Sequence, residues 1–356
     1  MKIGGLEIGK EKPMRISAEI VDSTEKTEEE IKNTIKNYEE QGADLIDLGI
    51  PIATNEDELV RTVEIAKKFT NKPLSVDTVN PDLIKKSIDL GIDLVLSVTP
   101  KNIEEVEDYL SGVNCVVAAR DKLKNTVERA RESGANAIAD PILDPPNEGL
   151  VDSLVRYYEY RNNEQDAPLF FGIGNVTEMI DADSTGVNAI MSSIASELNV
   201  SILFTAQASS KTKYGVRELK KASKLNFLAK NKKTTPKDLG IDLLYLKDKK
   251  RKEVETKVGG RTIEAEEEKG YEEDEGYFEI GIDREEKKIL AVFYKNKKQE
   301  PKLTIKGETA KSITDKIKDL KIIKKENHFF YLGRELKKAE IALKTGKNYL
   351  QGTDLF

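Results

Sequence analysis

Carboxylates, an amide and a few basic groups fall just where short apolar runs end. Glu19, Asp22 and Ser23 end or follow the run 14–20, and Asp47 lies in 43–50. Asp77 and Thr78 close 73–79, and Ser97 closes 93–98. Asp140 and Asp144 end or follow 135–141, and Asn175 ends 168–175. Ser209, Ser210, Lys211, Lys213 and Arg217 come after 200–207. With one histidine and one cysteine in 356 residues, multi-histidine metal centres, a CxxC site and an internal disulfide framework are excluded, and a histidine-based triad is disfavoured. Acid–base chemistry must use Asp, Glu, Lys or Tyr.

Any one of these aspartates could serve only as a helix N-cap. Gathered in one place, they need compensation from ligands, cations or hydrogen bonds. One solution is a flat heterocycle with several N–H donors, such as the guanidine-like edge of a 2-amino-4-oxo-pterin, on which a carboxylate accepts two parallel hydrogen bonds. The other is a metal, and oxygen ligands favour Mg²⁺ over zinc. Lys211, Lys213 and Arg217 could be a solvated helix start. Cations there oppose the helix dipole, however, and a bound phosphate would offset that.

The elements that must position these groups alternate. Eight strands, at 14–20, 43–50, 73–79, 93–98, 113–119, 135–141, 168–175 and 200–207, are each followed by an amphipathic helix. Thr27 with Glu30 forms a capping box, and Pro81 opens a helix at its tolerated first position. Continuous apolar runs such as Leu94-Val95-Leu96 suit a parallel sheet covered on both faces. A count of eight favours a (β/α)₈ TIM barrel, with its site at the C-terminal strand ends. An open doubly wound sheet is the alternative, but no GxGxxG follows the first strand. The pattern then changes. Residues 1–235 form the barrel. Residues 236–275 are a connector, with a strand over 241–246 and a charged loop. Residues 276–356 form a small α+β domain, with a hairpin at 276–283 and 288–294, a strand near 301–305, and helices near 308–319 and 334–345. Cys115 and His328 are expected to be structural, and Gly4-Gly5 to form a turn.

The 58 basic and 64 acidic residues leave a net charge of -6, which gives no global pull toward nucleic acid or anionic lipid. No apolar run reaches the roughly 18 residues that span a bilayer. The start, Met1 to Gly5, lacks the apolar stretch of a signal peptide. A cytoplasmic protein is expected.

Gly42-Ala43-Asp44-Leu45-Ile46-Asp47-Leu48-Gly49, Ser75-Val76-Asp77-Thr78, Asp140-Pro141 and Gly172-Ile173-Gly174-Asn175-Val176-Thr177 resemble, in order, strand motifs of the pterin-binding barrels. That superfamily includes dihydropteroate synthase and the corrinoid-linked methyltetrahydrofolate methyltransferases. More narrowly, Ala139 to Pro146, Gly174 to Asp183, Lys237 to Asp242 and Tyr331 to Leu336 resemble the archaeal dihydropteroate synthase-related proteins, which join a pterin-binding barrel to a C-terminal domain of unknown function.

The resemblance implies that Asp77 and Asp140 hold the pterin ring, with Ser97 and Asn175 completing the pocket. Ser209-Ser210-Lys211 is similar to a Ser-Arg-Lys of the synthases, which makes Lys211 catalytic. Asp22, Ser23, Lys211, Lys213 and Arg217 would meet a diphosphate, with Mg²⁺ as a possible cofactor. Two departures stand out: the first-loop Asn of the synthases aligns with Ala18, and their strand-four Asn with Ser97. The implied reaction condenses a dihydropterin-6-ylmethyl diphosphate with an arylamine, as in folate or tetrahydromethanopterin biosynthesis. The alternatives are a methyl-tetrahydropterin:corrinoid methyltransferase-like protein with a corrinoid protein partner, and a non-catalytic pterin-binding regulatory protein. A homodimer is also implied.

Overall fold

Eight parallel strands build the first unit: β1 (Arg15–Ile20), β2 (Leu45–Gly49), β3 (Leu74–Asp77), β4 (Leu94–Val98), β5 (Asn114–Ala118), β6 (Asn136–Asp140), β7 (Phe170–Gly172) and β8 (Ile202–Ala206). The computed structural model describes residues 1–246, 249, 274–296 and 300–356. The sheet order is β6-β5-β4-β3-β2-β1-β8-β7. A single parallel bridge, Ala139 with Leu169, joins the two ends. The result is a (β/α)₈ barrel of the expected kind. The helices after the strands are α1 (Glu28–Gln41), α2 (Glu56–Phe69), α3 (Pro81–Asp89), α4 (Ile103–Val106), α5 (Leu123–Glu132), α6 (Leu150–Asn163), α7 (Ser184–Glu197) and α8 (Gly215–Asn231).

Local signals explain the helix starts. Thr27 and Asn55 each close a full capping box, with Glu30 and Glu58 respectively, which satisfies amides that the first turn leaves open. Alternation along the strands makes two cores. Ile16, Ala18, Ile20, Ile46, Leu48, Leu74, Val76, Ala137 and Ala139 face the helices. Leu45, Leu94, Val116, Ile138 and Ile202 fill the lower interior. A short hairpin that the sequence pattern does not reveal, Lys2–Ile3 with Leu6–Glu7, adds the buried Ile3 and Ile8 to that lower layer. Its turn is Gly4-Gly5, at φ +50° and +87°. A Cβ on Gly4 would stand 2.5 Å from Asp93 Oδ1, so glycine is required there.

Three expectations about this unit change. β7 stops at Gly172, because Gly174–Thr177 winds into a helical turn. α8 starts only at Gly215, after a 3₁₀ turn at Ser210–Thr212 and Tyr214 at φ +72°. The stretch 241–246 is not a strand. There the Leu244 N–H donates to Asp242 Oδ1, a local turn that competes with extended pairing. Compact units divide at Met1–Lys250 and Arg251–Phe356, so 236–250 goes with the barrel, where Pro236 and Leu243 line a groove with Ile190 and Leu225. Apart from Lys249, Asp274 and Glu275, the charged loop over 247–275 lies outside the described residues.

The second unit has an antiparallel sheet, β9 (Tyr277–Asp283), β10 (Lys288–Tyr294) and β11 (Leu303–Gly307), with α9 (Ala310–Asp319) and α10 (Glu326–Thr345). Phe278, Ile289 and Ile305 pack against Ile313, Ile317 and Leu336. α10 begins at Glu326 rather than near 334, and this first part carries the buried His328 and Leu332. His328 lies 3.7 Å from Asp274. Burial lowers the imidazole from its ordinary value, and Asp274 partly opposes this. Cys115 is buried in the helix-facing core, where burial pushes its thiol up to about 12. Each unit has its own core. Residues 1–250 produced alone are therefore expected to unfold in one cooperative transition by circular dichroism, and a non-cooperative melt would show that the two units depend on one core.

Candidate functional site

The same alternation that sends Ile16, Ala18 and Ile20 outward turns Ser17 and Glu19 inward on β1. On β2 the inward residues are Asp47 and Gly49, on β3 Ser75 and Asp77, and on β6 Ile138 and Asp140. Neighbouring strands pair Glu19 with Asp47, Gly49 with Asp77 and Ala118 with Asp140. The upper interior is thus lined with carboxylates. Ala18, at the position of the synthases' Asn, faces the helix layer; Glu19 holds the inward position at the end of β1.

Each carboxylate has a distinct environment. Asp47 is fully buried. It accepts from Ser75 Oγ at 2.5 Å, while its Oδ2 has no partner among the described residues. Burial, reinforced by the charges of Asp77 and Glu19, holds its carboxyl well above the usual range. Asp77 Oδ1 accepts from Ser97 Oγ at 3.1 Å. Burial raises its carboxyl and Ser97 partly opposes the rise. Asp140 Oδ1 accepts from Tyr157 OH at 2.5 Å and from the Ile142 N–H at 2.8 Å. Burial still pushes Asp140 up to about 6 against those two bonds. Burial, with the charges of Asp77 and Asp22, pushes Glu19 up to about 7. Among the described residues, no donor reaches Asp77 Oδ2 or Asp140 Oδ2.

The loop after β6 is held from behind. Arg156 donates to the carbonyls of Pro141 and Ile142 and to Asp144 Oδ2 at 2.6 Å. Arg120 donates to Asp144 Oδ1. Burial alone would raise the Asp144 carboxyl, but the two guanidiniums outweigh it and hold it below the usual range. Asp144 therefore shapes the loop rather than facing a ligand. Ile142 sits at φ +62°, an uncommon conformation for a β-branched residue. Bonds to both its N–H and its carbonyl hold it there. The Asn175 Nδ2 donates to the Leu143 carbonyl at 2.8 Å, tying the β7 turn to this loop.

The residues expected to meet a diphosphate divide. Asp22, at φ +49°, lines a cleft with Glu19, Gly49, Asp77 and Asn80. Ser23 is fully buried, and its hydroxyl donates to the Gly49 carbonyl. It ties the β1 loop to the end of β2. Lys211 Nζ lies 3.1 Å from Asp181 Oδ1. Lys213 and Arg217 stack on the ring of Tyr214, with the Arg217 guanidinium carbon 4.2 Å from its centroid. Glu178 anchors this loop, accepting from the Ala208 N–H, Ser209 Oγ and Thr212 Oγ1. Lys211 is thus joined to the β7 loop through Asp181, and Lys213 and Arg217 gather on Tyr214. Among the described residues, no three His, Cys, Asp or Glu side chains converge as a metal-ligand set. No described helix is long and apolar enough to cross a membrane.

Sequence reasoning missed Tyr157, Arg156, Ser75 and Glu178 as parts of the site. Tyr157 offered a faint signal, a polar tip in a helix, but its partner is 17 residues away in sequence.

The family model described as PterinBD-DUF4346 matches residues 272–352, within the second unit. The chain is 41% identical over 380 residues to the uncharacterized protein MJ0107 of Methanocaldococcus jannaschii, covering 100% of this chain and 72% of that protein. Yersinia pestis dihydropteroate synthase with a pterine-sulfa conjugate aligns at TM-score 0.50 and 17% identity, over 65% of this chain and 99% of that one. The same enzyme in a sulfonamide drug complex gives a TM-score of 0.50, 17% identity and the same two coverages. At such identities the solved structures speak to fold alone, and that fold is the (β/α)₈ barrel.

Proposed function

We propose that this chain, which belongs to the archaeal family of dihydropteroate synthase-related proteins, binds a dihydropterin in the upper barrel and joins it to an arylamine. One observation carries the proposal: Asp77 and Asp140 each have one oxygen fixed by a hydroxyl of the protein, and the other oxygen receives no donor among the described residues. Two such carboxylates suit the guanidine-like edge of a pterin, which presents N–H donors and no charge to repel. Ser97 and Tyr157 fix the carboxylates, and the loop held by Arg156 and Asn175 shapes the wall.

The reaction needs positioning and charge stabilisation more than a general base. Asp77 and Asp140 would orient the ring and stabilise positive charge as the diphosphate leaves. Lys211, Lys213 and Arg217 would meet that diphosphate once Lys211 leaves Asp181. The partners are then a small-molecule pterin and arylamine, with a second copy of the chain as a further expectation. A second reading, methyl transfer from a reduced pterin to a corrinoid protein, is favoured by one feature: Glu19, an acid at the inward end of β1 that opens on the cleft.

The test is an incubation of the full chain with dihydropterin-6-ylmethyl diphosphate, Mg²⁺ and p-aminobenzoate, followed by mass spectrometry. A condensed product with released diphosphate is expected. Pterin bound without product would remove the synthase reaction and leave the methyl-transfer and regulatory readings.

A further inference from the structure

The carboxyl of Glu19 receives no hydrogen bond and no ion pair among the described residues. It is nevertheless built into place. It lies across Gly49, so close that a Cβ there would collide with Oε1. The charges acting on it are those of Asp77 and Asp22. One step deeper on β2, Asp47 is fully buried, and among the described residues neither its Oδ2 nor the buried Ser17 Oγ on β1 has a partner. The rim cations Lys211 and Arg120 are paired elsewhere, with Asp181 and Asp144. Like charges packed this closely cannot all ionise together without large cost. The deep carboxyl of Asp47 is closed to a ligand, whereas Glu19 opens on the cleft beside Ile50 and Asn80.

We propose that Glu19 is the proton donor of the barrel mouth, passing its proton to the basic ring amine of a bound tetrahydropterin and staying beside the resulting cation as a carboxylate. The Glu19 O–H bond breaks, an N–H bond forms on the nitrogen lone pair, and the net charge of the pair is unchanged. A cation at this point relieves the repulsion among Glu19, Asp22 and Asp77. The displacement of Glu19 to about 7 keeps the proton available near neutrality. Protonating a ring amine prepares it as a leaving group, so the inference ties this site to substrates that transfer a group from that nitrogen. It rests on a pterin occupying the barrel mouth.

Calorimetry on the full chain tests it with 6-methyltetrahydropterin and with 6-methyl-7,8-dihydropterin, whose corresponding nitrogen is a weakly basic imine. Above about pH 7 the free site loses the proton that the complex needs. Affinity for the tetrahydropterin should then fall by about tenfold per pH unit, with about one proton taken up per ligand. Affinity for the dihydropterin should change by less than about threefold. In Glu19→Gln the slope for the tetrahydropterin should vanish. A pH-independent affinity in the wild type, or the same slope in Glu19→Gln, overturns the proposal while leaving pterin binding intact. No binding of either pterin removes the pterin assignment and the proposal together.

Discussion

Asp140→Asn is expected to weaken pterin binding by on the order of 1–3 kcal/mol, about fivefold to about 150-fold in Kd. The substituted amide keeps an oxygen for the Tyr157 hydroxyl and the Ile142 N–H, so the loop around Ile142 should hold. The other position becomes an NH₂ that faces the N–H donors of the ring. The loss therefore comes from a donor meeting donors, and the variant should melt close to wild type. Tyr157→Phe gives the contrast: it removes the bond at 2.5 Å but leaves both oxygens as acceptors, so its effect on binding should be smaller. Calorimetry on the two variants separates these outcomes, and an unchanged affinity in Asp140→Asn would take Asp140 out of the site.

The ligand-free chain should lose stability as pH rises from about 5 to about 8. Glu19 is raised from 4.5 to about 7 and Asp140 from 3.8 to about 6. In this window the native state holds protons that the unfolded chain has released, so stability falls with rising pH. Each group contributes on the order of 2–3 kcal/mol at most, with Glu19's share reduced because its carboxyl is partly open to water. Carboxyls displaced downward, Asp144 and Glu340 (the latter to about 2), act only at more acidic pH, whereas the lowered imidazole of His328 in the second unit opposes the trend below about pH 6.5 and leaves it to the carboxyls above that. Melting should therefore occur about 10 °C lower at about pH 8 than at about pH 5.5. Asp47→Asn, which removes the deepest raised carboxyl, should flatten that dependence. Melting temperatures that rise across this interval would show that the carboxylates are compensated by cations.

Much of the barrel was legible in the sequence because each strand carries its own pattern. Runs such as Leu94-Val95-Leu96 mark sheet interiors, and Asp77 and Asp140 close their strands in the inward phase. What failed depended on phase or on distant partners. A one-residue shift separates the outward Ala18 from the inward Glu19, and side-chain alternation makes that shift decisive. Ser23 looked like a phosphate ligand until the Gly49 carbonyl came within 3.0 Å. Lys211 carried the right chemistry, but its partner Asp181 lies on the loop after β7. The anchoring of that rim by Glu178 joins residues about thirty apart in sequence, beyond the reach of local pattern.

The central claim is that Asp77 and Asp140 together receive the pterin edge. The most direct test is a crystal structure of the full chain soaked with 6-hydroxymethyl-7,8-dihydropterin. The account predicts the 2-amino and adjacent ring N–H groups within about 3 Å of Asp77 Oδ2 and Asp140 Oδ2, with Ser97 and Tyr157 keeping their present bonds. A pterin seated elsewhere, or one whose donor edge faces away from both carboxylates, would contradict it.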